Sequence, residues 1–477
     1  MASAVLKKHA ETLTKILGPG KVVDDPAIVK LYSRDPVGHE GSDAVVVFPE
    51  SIDDISAVVS YAYRNDVKLY PQGSTTGLAR GSVPEEEGIV VSMARMNGVK
   101  EIGVVDGYAV AEAGVRIDDL NAELAEKGYM FPVDPASSAV ATVGGAVNTG
   151  AGGLRGAKYG TMRDWVLGLK IVLPDEKGTQ MFIGCRTVKC RQGYDLVRLI
   201  VGSEGTLAIV AEAVLRITPL PENVVTVLAF YENLSDLFNA VVEIRSSGVQ
   251  PYIMEFMDSK TVAAAVEAVG APFKAEGHML LVSIDVNMEA TDRVLKWLVD
   301  TVKGTGAKLV YYARSPGEAE EKQLFKVRKS LYPAQMKLVQ ASAGRPGSKV
   351  VVFIEDIAVP PSRLIDAVEG LRQLEEEYKL PTMIGGHVGD GNLHPATGFD
   401  VTDRDAGERV MQWHHDVMKL AVKLGGTVSA EHGIGILKKE GLRYELEANG
   451  AEKALDIMRA IKRAFDPKNI LNPGRVV

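Results

Sequence analysis

Two short strings gather residues able to do metal or acid–base chemistry. Gly385-Gly386-His387-Val388-Gly389-Asp390-Gly391-Asn392-Leu393-His394 carries two imidazoles, and Glu431-His432-Gly433-Ile434-Gly435 sets a carboxylate beside a third. Two neutral imidazoles and a carboxylate are a usual ligand set for a divalent metal that keeps one coordination position open. Satisfied structural histidines fit the same pattern, and spacing alone leaves both readings standing. In a helix the spacing would put His387 and His394 on one face, but Gly385, Gly386, Gly389 and Gly391 oppose a helix. A strand–turn–strand with Gly389-Asp390-Gly391 as the turn is expected instead, and a turn lets both rings point to one locus. Asn392 either orients a ligand or holds the turn, and Asp390 either acts or caps it. His9, His39 and His278 match no such pattern, and His414 and His415 read as a partly exposed pair on a helix.

Two glycine-rich stretches, Gln72–Gly81 and Gly144–Gly153, form a second kind of candidate. A nucleotide pyrophosphate needs backbone N–H groups at close range, and glycine permits that approach. Neither stretch matches G-x-G-x-x-G or G-x-x-x-x-G-K-[ST], so Rossmann and P-loop readings lose their main support. Tight turns remain the plain alternative.

These residues need elements to hold them. Val45 to Phe48 reads as a strand, Ser51 as an N-cap, and Ile52, Ile55, Val58, Val59 and Ala62 recur at helical spacing before a second strand, Val67–Tyr70. The result is a β-α-β unit that ends in the first glycine-rich loop. Arg116–Lys127 reads as a helix, and Leu167–Leu173 and Gln180–Ile183 flank a Pro174–Gly178 turn as a hairpin. Beyond Thr218-Pro219-Leu220-Pro221 strands and helices alternate, which suggests ferredoxin-like α+β repeats. Long helices are expected around Ala319–Val339 and Pro361–Tyr378 with the strand Val350–Ile357 between them, and the tail from Ala406 onward reads as mostly helical.

Composition narrows the function classes. A chain of 477 residues exceeds one simple core, so two or three domains are expected. The formal net charge of −8, with no basic run, argues against nucleic acid as a partner. Cys185 and Cys190 are the only cysteines, which excludes a four-cysteine iron–sulfur cluster and a disulfide framework. Two free, partly buried thiols are expected, with a local disulfide as the alternative. The first residues read as an amphipathic helix, not a signal peptide, and Ala136–Leu154 lacks the apolarity of a spanning helix. A cytoplasmic protein is expected, with peripheral contact at a membrane through a partner left open.

Residues 131–175, FPVDPASSAVATVGGAVNTGAGGLRGAKYGTMRDWVLGLKIVLPD, followed by GYDLVRLIVGSEGTLAIV at 193–210, resemble the FAD-binding domain of the vanillyl-alcohol oxidase superfamily. The likeness is to the branch that holds D-lactate dehydrogenase, D-2-hydroxyglutarate dehydrogenase and the catalytic subunit of glycolate oxidase, and it runs from about Val45 to the C-terminus. It implies an α+β fold: a PCMH-type FAD-binding domain of two subdomains at 1–221, a ferredoxin-like cap at 222–415, and a helical segment at 416–477 returning to the FAD domain. For FAD it implies a pyrophosphate cradle at Pro71, Gly73, Ser74, Thr75, Thr76, Gly77 and Ser82. A second wall is implied at Pro135, Thr142, Gly144, Gly145 and Asn148, continued by Gly152, Gly153, Tyr159 and Gly160. Contacts to the adenosine half are implied at Glu204, Gly205 and Ile209, with Asn472 in the loop that returns to the flavin. Some relatives tether FAD through a histidine in the pyrophosphate loop; none lies between Pro71 and Ser82, so noncovalent FAD is expected. Trp165 is expected in the core.

The resemblance also assigns the reactive groups. It makes His387, His394 and Glu431 ligands of zinc, manganese or a similar ion, and His432 the base. Arg328 grips the substrate carboxylate, with Lys349 as a second cation and Tyr332 nearby. The implied reaction is oxidation of a D-2-hydroxy acid, D-lactate first, with glycolate and D-2-hydroxyglutarate as alternatives. Electrons would pass to a quinone, an electron-transfer flavoprotein or a cytochrome. The rivals are a metal-free oxidase of sugars or phenols, a non-redox ether-lipid synthase of the same fold, and a noncatalytic FAD-bearing subunit.

Overall fold

The computed structural model describes residues 4–36, 38–343 and 348–477. The chain divides into two compact units. The first comprises Met1–Gly153, Gly160–Leu220 and Glu431–Val477; the second comprises Leu154–Tyr159 and Pro221–Ala430.

In the first unit the valine run becomes the strand Ala44–Val47, buried at every position. Ser51 caps the helix Ile52–Asn65 by accepting from the Asp54 amide at 3.2 Å, and its Ile55, Val58, Val59 and Ala62 face is buried. The expected second strand runs from Lys68 to Gln72. Both strands pair in parallel with Gly88–Ser92, which lies between them. Continuous apolar runs suit such strands, which carry cover on both faces. A second, antiparallel sheet takes the order Val99–Gly103, Tyr108–Glu112, Ile209–Arg216, Val166–Val172 and Gln180–Gly184. Its last two strands are the expected hairpin, and the Asp175 carboxylate holds the turn by accepting from Lys177 N and Thr179 N. Trp165 is buried, with the Arg216 guanidinium over its ring.

The cysteines depart from expectation. Cys185 and Cys190 are joined in a disulfide and are not free thiols. The loop after Gln180–Gly184 doubles back, so their Cα atoms stand 6.0 Å apart. That separation lies within the span a bridge tolerates.

The tail helices Lys439–Ala448 and Lys453–Phe465 belong to the first unit. Beyond them the chain lies along Lys68–Gln72. Leu69 N donates to Ile470 O, and Asn472 N donates to Leu69 O, both at 2.7 Å.

The second unit is built on one antiparallel sheet. Its order is Leu309–Ala313, Asn223–Tyr231, His278–Val286, Ile253–Met257, Met383–His387, Asn392–Asp400 and Val350–Ile354. Numbered along the chain, the first four of these strands stand 4-1-3-2. That is the ferredoxin-like order, with the helix Ser259–Val269 added between its second and third strands. Tyr231, Phe256 and Trp413 are fully enclosed in its core. The helix expected over Ala319–Val339 is three pieces, Pro316–Glu321, Lys326–Lys329 and Leu331–Ala343. Gln323 breaks it with a φ of 51°, and Ser330, its hydroxyl turned back to Val327 O, interrupts it again. Leu364–Tyr378 is continuous, as expected. Among the described residues no helix is long and apolar enough to cross a membrane.

Candidate active site

The first unit holds a cleft of about 240 Å³. Pro71, Gly73, Ser74, Thr75, Thr76, Gly77 and Ser82 line one wall; Pro135, Thr142, Gly145 and Asn148 line another. Glu204, Glu431 and His432 complete it. The parallel ladder ends at Gln72–Ser92, so the amides of the first loop lie beyond the sheet. The first glycine-rich stretch then packs against the segment that leads into the second. Ser74 donates its hydroxyl to Val140 O, Ser137 Oγ lies 3.4 Å from Thr76 Oγ1, and a Cβ at Gly73 would collide with Thr142 Oγ1. A Cβ at Gly77 would meet open space. A narrow cleft with small hydroxyl side chains and backbone exposed on both walls suits a dinucleotide pyrophosphate.

Other expected cofactor residues stand behind that lining. Gly144 packs on Ala113, where a Cβ would lie 2.6 Å from the alanine methyl carbon. Gly152 makes room for Glu431, whose Oε2 would lie 2.7 Å from a Cβ there. Gly153 backs onto Asp134, Gly160 onto Asp164, and Gly205, at φ 67°, onto Pro71. Ile209 is buried in a strand. Asn472 is buried too, its amide donating to Gly81 O at 2.7 Å and Glu204 O at 2.6 Å. Tyr159 belongs to the second unit, edge-on to Tyr252. The Glu204 carboxylate accepts from Ile434 N at 2.6 Å and from Gly435 N at 2.8 Å. Burial pushes its pKa up, against the pull of those two amides.

In the second unit the histidine string forms the expected hairpin. Met383–His387 pairs with Asn392–Asp400, with His387 opposite Asn392 and Gly385 opposite His394. Opposed residues and alternate residues share a face, so both imidazoles project from the same side of the sheet. Their ring centroids are 5.1 Å apart at 84°. On the neighbouring strand Phe256 pairs with Gly386, which brings Glu255 toward His387. Glu255 Oε1 lies 2.7 Å from His387 Nδ1, and Oε2 accepts from Arg328 Nε at 2.6 Å. Glu255 is wholly buried. Burial alone would raise its pKa, but His387 and Arg328 overcome that and hold it below the ordinary carboxylate range. His394 Nδ1 stands 3.8 Å from Asp356 Oδ1. Asp356 also accepts from Asn392 Nδ2 at 2.8 Å, from Ser429 Oγ at 3.1 Å and from Ala430 N at 2.9 Å. Asn392 thus pins the hairpin to Asp356 and Ile357 O. Lys349 is exposed ahead of Val350–Ile354, outside this buried group, and Tyr332 is half exposed.

His414 corrects an expectation. It is fully buried on the inner side of Arg404–Lys423, with Nδ1 against Glu355 Oε1. A carboxylate from a distant strand gives the ring a partner, which helical position alone does not reveal. Three histidines outside both groups have partners of their own. His278 Nδ1 accepts from Ser259 N at 3.0 Å, His9 meets Tyr61 Oη, and His39 meets Glu85.

Sequence reading passed over Glu255 and Asp356. For Glu255 one signal existed: a lone charge inside Ile253–Met257, a strand otherwise wholly apolar.

Comparison with known proteins agrees with this construction. Residues 44–181 match the family described as FAD binding domain, and residues 220–476 match FAD linked oxidases, C-terminal domain. The glycolate oxidase subunit GlcD of Bacillus subtilis is 35% identical over 476 residues, covering 99% of this chain and 97% of that one. A D-lactate dehydrogenase of Archaeoglobus fulgidus is 34% identical over 438 residues, 91% of each chain. Among solved structures, p-cresol methylhydroxylase with substrate bound superposes with a TM-score of 0.77 at 17% identity, covering all of this chain and 97% of that one, a likeness of fold.

Proposed function

The chain belongs to the FAD-linked oxidases, and on that premise we propose that it oxidises a D-2-hydroxy acid, D-lactate foremost, to the 2-oxo acid. The observation that carries this reading is the facing pair His387 and His394 with Glu255 fixed on His387 Nδ1. A carboxylate on one ring nitrogen sets the tautomer and leaves the other nitrogen as a donor, the usual support behind a metal-binding histidine.

His387, His394 and Glu431 would hold a divalent ion, zinc or manganese, and the ion would supply Lewis acidity at the substrate's hydroxyl. His432 takes the hydroxyl's proton. Arg328 has its Nε on Glu255, which leaves its terminal nitrogens to receive the substrate carboxylate. Lys349 adds a second, more distant cation. FAD, bound noncovalently in the glycine-walled cleft, supplies the two-electron acceptor when present. The chain's part is to hold the acid's carboxylate and hydroxyl in fixed places and to remove one proton. A quinone, an electron-transfer flavoprotein or a cytochrome then receives the electrons, and the protein works in the cytoplasm or at the membrane surface.

The test is anaerobic loss of the flavin's visible absorbance on separate addition of D-lactate, L-lactate, glycolate and D-2-hydroxyglutarate. D-Lactate should reduce the flavin fastest, a chelator should abolish the reaction, and zinc or manganese should restore it. Faster reduction by glycolate or D-2-hydroxyglutarate would move the substrate assignment. No reduction by any acid, with flavin and metal both present, would overturn the reading.

A further inference from the structure

We propose that Glu204 is a positioning residue, which sets Glu431 and His432 at the cofactor cleft by clamping the backbone that follows them. The roles of those two residues rest on the function proposed above; the clamp itself rests on geometry alone.

Glu204 sits in the left-handed region at φ 54°, a conformation rare for a residue of its kind. The surroundings enforce it. Its amide donates to Asn148 O at 2.7 Å, and its carbonyl accepts from Asn472 Nδ2 at 2.6 Å. From there the side chain turns inward, away from solvent. Oε1 takes the amides of Ile434 at 2.6 Å and Gly435 at 3.0 Å, and Oε2 takes Gly435 again at 2.8 Å. Successive backbone N–H groups around an anion make a nest. Here the anion is a side chain of the same chain.

The loop is cut to fit that anion. Gly433 and Gly435 take φ values of 84° and 51°. A Cβ at Gly433 would lie 2.7 Å from Glu204 Oε1, and one at Gly435 would collide with Ala79 O. Ile436 N donates to Ala79 O at 3.2 Å. The loop is therefore gripped by a carboxylate on one side and by a carbonyl of the cleft's first wall on the other. Just upstream, Glu431 and His432 line the same cleft as Glu204, and Glu431 rests in the space left by Gly152. With both oxygens on the loop, the carboxylate acts on the loop's backbone, and the adenosine contact expected from the family resemblance is not its main task. A carboxylate accepts all these bonds, whereas a glutamine would turn an NH₂ against one of the amides.

Glu204→Gln and Glu204→Ala test the clamp in the FAD-loaded protein. Both variants should keep their flavin, and hydrogen exchange at the Ile434 and Gly435 amides should rise while the strands of the first unit stay protected. With the best hydroxy acid, kcat should fall about 10- to 100-fold, the worth of hydrogen bonds to a charged group, while KM moves little. Unchanged exchange in both variants would overturn the proposal. So would loss of flavin with the loop still protected, which would make Glu204 a cofactor contact. Loss of protection throughout the first unit in the isosteric Gln variant would also overturn it, as general structural support. Exchange does not depend on turnover, so a wild-type protein reduced by no hydroxy acid would sink the substrate reading and leave the clamp standing.

Discussion

The cleft of the first unit and the imidazole cluster of the second are built from opposite materials. Gly73, Gly145 and Gly152 serve the cleft by the atoms they lack, and the polar surface of its two glycine-rich walls is mostly backbone and small hydroxyls. The cluster consists of long ionisable side chains in the interior, where one carboxylate, Glu255, satisfies His387 and Arg328 at once. Glycine walls of that kind suit a large cofactor, and ionisable side chains enter the cleft only along its third side, at Glu204, Glu431 and His432. Buried charges that hold one another are costly to build and costly to break singly. The difference teaches which changes each region tolerates: added atoms damage the first, and removed charges damage the second.

The largest effect should fall on the proton-transfer step. His432→Ala should slow anaerobic flavin reduction about 100- to 10,000-fold, the usual worth of a positioned base, with flavin content unchanged. Stopped-flow reduction of the loaded protein measures this. A variant that reduces its flavin at the wild-type rate would leave His432 as mere lining of the cleft.

Glu255→Leu breaks the second region from behind. It leaves Arg328 nearly buried without its carboxylate, at a cost of about 3–5 kcal/mol in stability, and releases the tautomer of His387. Metal affinity should drop about 10- to 100-fold. Denaturant midpoints and metal titration report the two losses separately. Affinity at the wild-type level would show that His387 needs no support.

Gly73→Ala should do the converse. The new methyl meets Thr142 Oγ1, and overpacking of that kind costs about 1–3 kcal/mol. Flavin should bind more weakly by the matching factor while metal affinity stays as it was. Equal loss of both ligands would erase the distinction between the regions.

That distinction also explains what could be read in advance. A wall made of glycines is visible in the chain because glycine's role is local: the loop at Gly73–Gly77 and the turn at Gly389-Asp390-Gly391 announce themselves by composition. The ferredoxin-like order followed from strand–helix alternation, since short connections leave few topologies. What stayed hidden was pairing across distance. Glu255 reaches His387 over 132 positions and His414 meets Glu355 over 59, and no spacing rule links them. The broken helix before Ala343 was missed because Gln323 and Ser330 carry no strong breaker signal, and the disulfide because a compartment-based prior said nothing of the loop's path.

The smallest effect should fall on a histidine of the second unit that lies outside the facing pair. His278 accepts from Ser259 N at 3.0 Å, where the helix Ser259–Val269 begins, so it must be unprotonated at Nδ1. Burial lowers its pKa from the ordinary 6.5. A depressed histidine contributes its full stability above the unfolded value. As pH falls from 6.5 through the folded pKa, the unfolded chain takes up a proton that the folded chain refuses, and that stability is lost. His278→Gln keeps an acceptor for Ser259 and cannot titrate. Its unfolding midpoint should therefore fall less steeply than that of the wild type below pH 6.5, while flavin reduction by the hydroxy acid is unchanged. Parallel curves for the two proteins would mean that His278 does not carry the acid sensitivity of the fold.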